Sequence, residues 1–139
     1  MADRITQEQR SRIMSRIRAK GTKPEMAVRR MVHAMGYRYR LHRKDLPGTP
    51  DMVFAGRRKV IFVHGCFWHQ HDDPGCRNAT LPSSNRDFWH PKLKGNALRD
   101  QKNRVKLEEM GWKILVIWEC ELNRGELVAE RIQEFLEFR

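Results

Sequence analysis

Apolar positions along this chain switch between a helical and a strand-like period, and the switches divide it into alternating helices and strands. Thr6 and Gln9 form a capping-box pattern ahead of Ile13, Met14 and Ile17, which predicts a short basic amphipathic helix within residues 1–20. Thr22 and Glu25 repeat the pattern with Pro24 in the first turn, and Val28, Met31, Val32 and Met35 follow at helical spacing until Gly36. A second helix is expected there, with its methionines and valines in the core. Tyr37 to Leu41 alternates large apolar with basic residues, as a half-buried strand does. Leu46-Pro47-Gly48-Thr49-Pro50 then breaks regular structure and hands Asp51 to the apolar strand Met52-Val53-Phe54-Ala55. Gly56-Arg57-Arg58 reads as a tight connection into a β-branched strand, Lys59 to Val63. Paired as a hairpin, these strands would bring Asp51 and His64 to neighbouring ends.

From residue 64 to about 91 neither period is visible, and His, Cys, Trp, Pro and Asn accumulate instead. So long a stretch without regular structure in a small domain points to a functional or cross-linked insertion. A polar helix is expected from Leu93 to Met110, with Asn96, Asp100, Asn103 and Arg104 near one face and Gly111 as its stop. Trp112 to Trp118 forms a buried strand leading into Glu119 and Cys120. Asn123 with Glu126 opens a last helix whose Leu127, Val128, Ile132, Phe135 and Leu136 face the core. Within 139 residues this alternation predicts one α/β domain, a sheet with flanking helices.

Charge narrows the partners. Twenty-eight Lys and Arg against 17 Asp and Glu leave a net charge of +11, which favours a polyanion, nucleic acid before a membrane surface. No apolar run approaches the ~20 residues of a membrane span, and the amino terminus lacks a signal peptide's apolar core, so a cytoplasmic protein is expected. Nothing resembles a dimerisation stripe, and a monomer is the expectation.

Chemistry concentrates around Asp51 and the run His64-Gly65-Cys66-Phe67-Trp68-His69-Gln70-His71. A lone histidine is most simply a packing residue, but three within eight positions beside a cysteine suggest metal or proton chemistry. Cys66, His71 and Cys76 stand five residues apart in turn and Cys120 ends a strand, a Cys3His set of the kind that closes a tetrahedral zinc site. By sequence alone His69 could replace His71. With His71 in the zinc set, His64 and His69 remain beside Asp51. A carboxylate that holds hard divalent cations, next to groups that move protons, is what phosphodiester hydrolysis needs.

The ordered motifs Leu46-Pro47-Gly48-Thr49-Pro50-Asp51, Val63-His64-Gly65-Cys66-Phe67-Trp68-His69, Arg86-Asp87-Phe88-Trp89, Asn96 with Asp100, Gly111-Trp112 and Val116-Ile117-Trp118-Glu119-Cys120 span nearly the whole chain. Together they resemble the very-short-patch mismatch repair endonuclease family. The resemblance implies a restriction-endonuclease-like fold, with a mixed central sheet flanked by helices and a zinc-stabilised loop in one domain, 1–139. It implies nicking of double-stranded DNA beside the thymine of a T:G mismatch left by 5-methylcytosine deamination. Carried over by position, it makes Asp51 the carboxylate bridging two catalytic Mg²⁺ ions. It makes His64 and His69 the active-site histidines, Asp100 the acid that orients the catalytic histidine, and Glu25 a further acid. Val63 would offer the metal only its backbone carbonyl. Cys66, His71, Cys76 and Cys120 become the structural zinc site within the DNA-contacting insertion 64–91. Phe67, Trp68 and Trp89 become rings that enter the duplex, with Asn96 as a further DNA contact. Lys92 and Lys94 are the expected phosphate contacts. Such an enzyme would work at the nucleoid, with mismatch-repair accessory proteins as possible partners. Two rivals share much of this pattern: a zinc-stabilised DNA-binding module without catalysis, and a nuclease of the same fold acting on other DNA.

Overall fold

The computed structural model describes residues 22–66, 69 and 86–138, and of residues 86–90 the backbone only. The expected helix within residues 1–20 lies outside the described residues, as do Phe67, Trp68, His71 and Cys76. In chain order the elements are α1 (Lys23–Ala34), β1 (Arg40–Leu41), β2 (Met52–Phe54), β3 (Lys59–His64), α2 (Arg86–Glu109), β4 (Lys113–Trp118) and α3 (Gly125–Glu137), with single 3-10 turns at Ala55–Arg57 and Glu119–Arg124. The strands form one mixed sheet in the order β1-β2-β3-β4. β1, β2 and β3 run antiparallel in succession, and β3 pairs parallel with β4 from Lys59↔Lys113 to His64↔Trp118. A parallel neighbour needs a crossover, and the long stretch between β3 and β4, which contains α2, supplies it.

Side chains alternate across a strand, so the sheet has two buried faces. On one, Met52, Phe54, Ile61 and Ile117 pack with Val28 and Val32 of α1 and Val128, Ile132 and Leu136 of α3. On the other, Val53, Val60 and Leu46 pack with Leu107 of α2 and Trp112. The result is a helix–sheet–helix sandwich in which β2 and β3 are apolar on both sides, as strands covered by two layers must be. Lys59 opens β3 as a buried cation, its Nζ donating to the carbonyls of Phe135 and Phe138, while Arg57 Nη1 donates to Leu136 O at 2.8 Å. Cations on the last carbonyls of α3 satisfy acceptors that the helix itself leaves open.

Three boundaries and the burial of one residue differ from the sequence reading. Among the described residues, only Arg40 and Leu41 of the segment Tyr37–Leu41 pair as strand, at the edge of the sheet beside β2. α2 begins at Arg86 rather than Leu93, running through Pro91. That proline is the sixth residue of the helix, past the four amides that a helix start leaves open, so α2 gives up the bond that an amide at 91 would make to the carbonyl of residue 87. The last helix starts after a 3-10 turn at Gly125, with no side-chain cap, so Asn123 does not cap it. Leu127 is half exposed rather than in the core.

One turn bears directly on the site. Gly48 has φ +78°, and a Cβ there would meet Asn103 Cβ and the Phe62 ring at 3.2 Å. Glycine therefore lets the Leu46–Pro50 turn adopt a left-handed residue and press against α2 and β3. That contact fixes the segment that delivers Asp51.

Candidate active site

Among the described residues, two clusters of ligating side chains lie beside the carboxyl end of β3. The first is built by β-pairing. β1 and β2 pair Arg40 with Val53 and Leu41 with Met52, and one step further the same register sets His42 opposite Asp51, with His42 N facing Asp51 O at 3.4 Å. Asp51 reaches across to β3, where its Oδ2 accepts the Val63 amide at 2.7 Å. Glu25 comes from the first turn of α1. Thr22 caps that helix through Oγ1, which accepts Glu25 N at 3.3 Å, while the Glu25 carboxylate turns inward, 1% exposed. Its Oε1 stands 3.0 Å from His42 Nε2 and its Oε2 is 3.5 Å from Arg29 Nη1. Burial pushes the Asp51 carboxyl up to about 7; the Val63 amide opposes the rise and the charge of Glu25 adds to it. An acid held near neutrality in this way is poised to exchange its proton for a cation.

The second cluster faces α2. Phe62 and His64 point to that side of β3, and His69, whose amide donates to Gly65 O at 3.1 Å, stacks on His64, ring centroids 3.9 Å apart and planes 6° from parallel. Asp100 of α2 meets His69 Nδ1 through Oδ2 at 2.5 Å. A carboxylate can only accept, so this contact puts a proton on His69 Nδ1, and in the uncharged ring the lone pair then lies on Nε2. Trp118 closes the far side edge-on, 5.0 Å from the His64 ring. His64 is 7% exposed, and burial, reinforced by the His69 charge, lowers it to about 4 against the opposing pull of Asp100. It stays neutral at physiological pH, with a buried Nδ1 that finds no partner among the described residues. A cavity of about 250 Å³ opens beside these rings, lined also by Asn103 and Arg104.

Cys66 and Cys120 come together where β3 and β4 end, the Cys120 amide 3.4 Å from Cys66 Sγ. Parallel pairing of the two strands brings these distant cysteines together. Of the expected DNA contacts, Lys92 and Lys94 lie exposed in the first half of α2 and Asn96 is half-buried there; Trp89 is in the first turn of the same helix.

The comparisons with known proteins agree with one another. A model of the family described as DNA mismatch endonuclease Vsr matches residues 2–74. A type II nicking enzyme, V.XorIIP, of Xanthomonas oryzae pv. oryzae is 50% identical over 137 residues, covering 99% of this chain and 98% of its own length. The DNA mismatch endonuclease Vsr of Escherichia coli K12 is 37% identical over 138 residues, 99% of this chain and 86% of that enzyme. This chain belongs to the Vsr family. Membership makes it a DNA endonuclease and sets aside the non-catalytic module. Among solved structures, the catalytic domain of a homing endonuclease superposes with a TM-score of 0.56 at 22% identity, covering 83% of this chain and 94% of that domain. At that identity it speaks for the fold alone, a mixed α/β nuclease fold.

Among the residues that the family resemblance singled out, Glu25 lies near Asp51, and Asp100 lies by His69 and His64. Val63 meets Asp51 through its amide nitrogen. Sequence reasoning missed His42 and Trp118 as site residues. The signal for His42 was present in the hairpin register, since a strand ending at Leu41 and paired to Met52 must set residue 42 against residue 51.

Proposed function

We propose that this enzyme nicks double-stranded DNA beside the thymine of a T:G mismatch, by divalent-metal-dependent hydrolysis of the phosphodiester. The observation that carries the reading is the pairing of a buried carboxylate cluster at Asp51 with a proton-handling cluster, His69 and Asp100, at the end of one strand. Asp51 and Glu25 supply the hard oxygen donors that Mg²⁺ requires, and Asp51's raised acidity range fits a carboxylate kept for a cation. The Val63 carbonyl is the further oxygen we assign to that site. The bound ion would polarise the phosphate and supply charge stabilisation at the departing oxygen.

The residues do the rest. Asp100 orients His69 and fixes its tautomer, so that Nε2 takes the proton of the attacking water. His64, neutral and stacked beneath it, holds that ring in place and offers an edge for hydrogen bonding to the phosphate. Cys66 and Cys120 are half of a zinc site that His71 and Cys76 complete. Sulfur and imidazole donors suit a closed tetrahedral ion, which would tie the insertion to the sheet beside the histidines. Phe67, Trp68 and Trp89 wedge into the duplex, where a mispaired step costs less to unstack, and Asn96, Lys92 and Lys94 hold the backbone. One monomer suffices, working on the DNA of the nucleoid in the cytoplasm.

The test is a closed-circular duplex carrying one T:G pair beside its fully paired twin, each incubated with Mg²⁺ or with a chelator. Relaxation of the mismatched circle alone, and only with metal, supports the reading. Relaxation of both circles points to a family nuclease with another substrate.

A further inference from the structure

Three chain segments meet at Glu25, His42 and Asp51, and the middle one has no role in the mechanism above. His42 Nε2 stands 3.0 Å from Glu25 Oε1 and 3.8 Å from Asp51 Oδ1. The second separation exceeds a hydrogen bond. Neighbouring donors around a divalent ion at about 2.2 Å lie about 3 Å apart, so both gaps match an ion's coordination shell once Asp51 closes by a fraction of an ångström. Asp51 Oδ2 is held by the Val63 amide, which leaves Oδ1 facing the imidazole. His42 is set there by a left-handed backbone, φ 48°, a conformation that histidine tolerates better than most residues.

We propose that His42 Nε2 is a direct ligand of the divalent ion held by Asp51 and Glu25, making a mixed nitrogen–oxygen site that selects a manganese-class ion over Mg²⁺. The proposal rests on the reading of Asp51 as the cation-holding carboxylate. Mg²⁺ keeps an all-oxygen shell and sheds water reluctantly, whereas ions later in the first row accept an imidazole among oxygens. An additional nitrogen donor therefore raises affinity for Mn²⁺ without a matching gain for Mg²⁺.

The experiment is pulsed electron paramagnetic resonance of Mn²⁺ added to the intact zinc-loaded protein, with Mg²⁺ competition read on the same samples. Wild type should show ¹⁴N coupling from a bound imidazole and prefer Mn²⁺ by at least about tenfold. His42→Asn, chosen because Asn accepts the positive φ, should lose the coupling and about tenfold in Mn²⁺ affinity, with Mg²⁺ affinity changed by less than about threefold. If wild type binds Mn²⁺ with no nitrogen coupling, the inference falls whatever the variant does. Coupling that persists in His42→Asn places the ion on His64 and His69 and also overturns it. In either case, Mn²⁺ binding that disappears in Asp51→Asn leaves the Asp51 reading standing. Binding indifferent to Asp51→Asn overturns both.

Discussion

Replacing Asp51 with Asn should make the metal-free protein more stable, and more so as pH rises. The Asp51 side chain is 15% exposed and its carboxyl is pushed from 3.8 up to about 7, chiefly by burial. Between about pH 4 and pH 7 the folded chain holds a proton that the unfolded chain has released, so stability from this group is complete below the unfolded value and is lost as pH rises through the folded one. At 1.36 kcal/mol per pH unit the full loss is about 4 kcal/mol, of which about 1 to 2 kcal/mol has already gone by pH 5. Asn keeps an oxygen to accept the Val63 amide and removes the charge. Asp51→Asn should therefore gain about 2 to 3 kcal/mol more over wild type at pH 8 than at pH 5, a familiar exchange of function for stability. Urea denaturation of both proteins in buffers free of added divalent ions measures this. Added Mg²⁺ should then stabilise wild type at pH 8, by about 2.7 kcal/mol at a hundredfold excess over Kd, and leave the variant unmoved. An Asp51→Asn advantage equal at both pH values, or a variant less stable than wild type at pH 8 without metal, would refute the buried-acid argument.

Other consequences can be checked separately. His69→Ala should slow single-turnover nicking by about 10²-fold or more with substrate affinity preserved, and a rate within about threefold of wild type would remove His69 as the base. Cys120→Ser should lower zinc from about one ion per chain, measured by elemental analysis, and lower the melting temperature; zinc-free protein that melts as before would dismiss the structural metal. Trp68→Ala should weaken binding to mismatched duplex by about 1 to 3 kcal/mol. It should also abolish the rise in 2-aminopurine fluorescence beside the T:G pair, and an undiminished rise would return that ring to the core.

Where the chain's own pattern was strong, the fold could be read directly. Val28 and Val32 at helical spacing, the two apolar runs around Gly56-Arg57-Arg58, and the strand at Lys113–Trp118 all stand where their periodicity put them. Local signals failed where tertiary packing outweighed them. The irregular insertion was expected to reach about residue 91, yet α2 already begins at Arg86, and Asn123 with Glu126 imitated a cap while the 3-10 turn before Gly125 took its place. Of the site, Asp51 and the histidines declared themselves by residue type and position. Asp100 and Glu25 sit 31 and 26 residues from the groups they meet or approach, on helices whose patterns reveal only which face is buried, so family resemblance alone pointed to them. His42 looked like one basic residue among many because its meaning lies in strand register.

Mismatch-directed nicking is tested most directly by labelling each strand of a duplex with one T:G pair and following both under single-turnover conditions with metal present. The expected product is a single nick, on the thymine-bearing strand beside the mismatch, lost in Asp51→Asn and absent from the T:A duplex. Cleavage of both strands, or equal nicking of the T:A duplex, would contradict it.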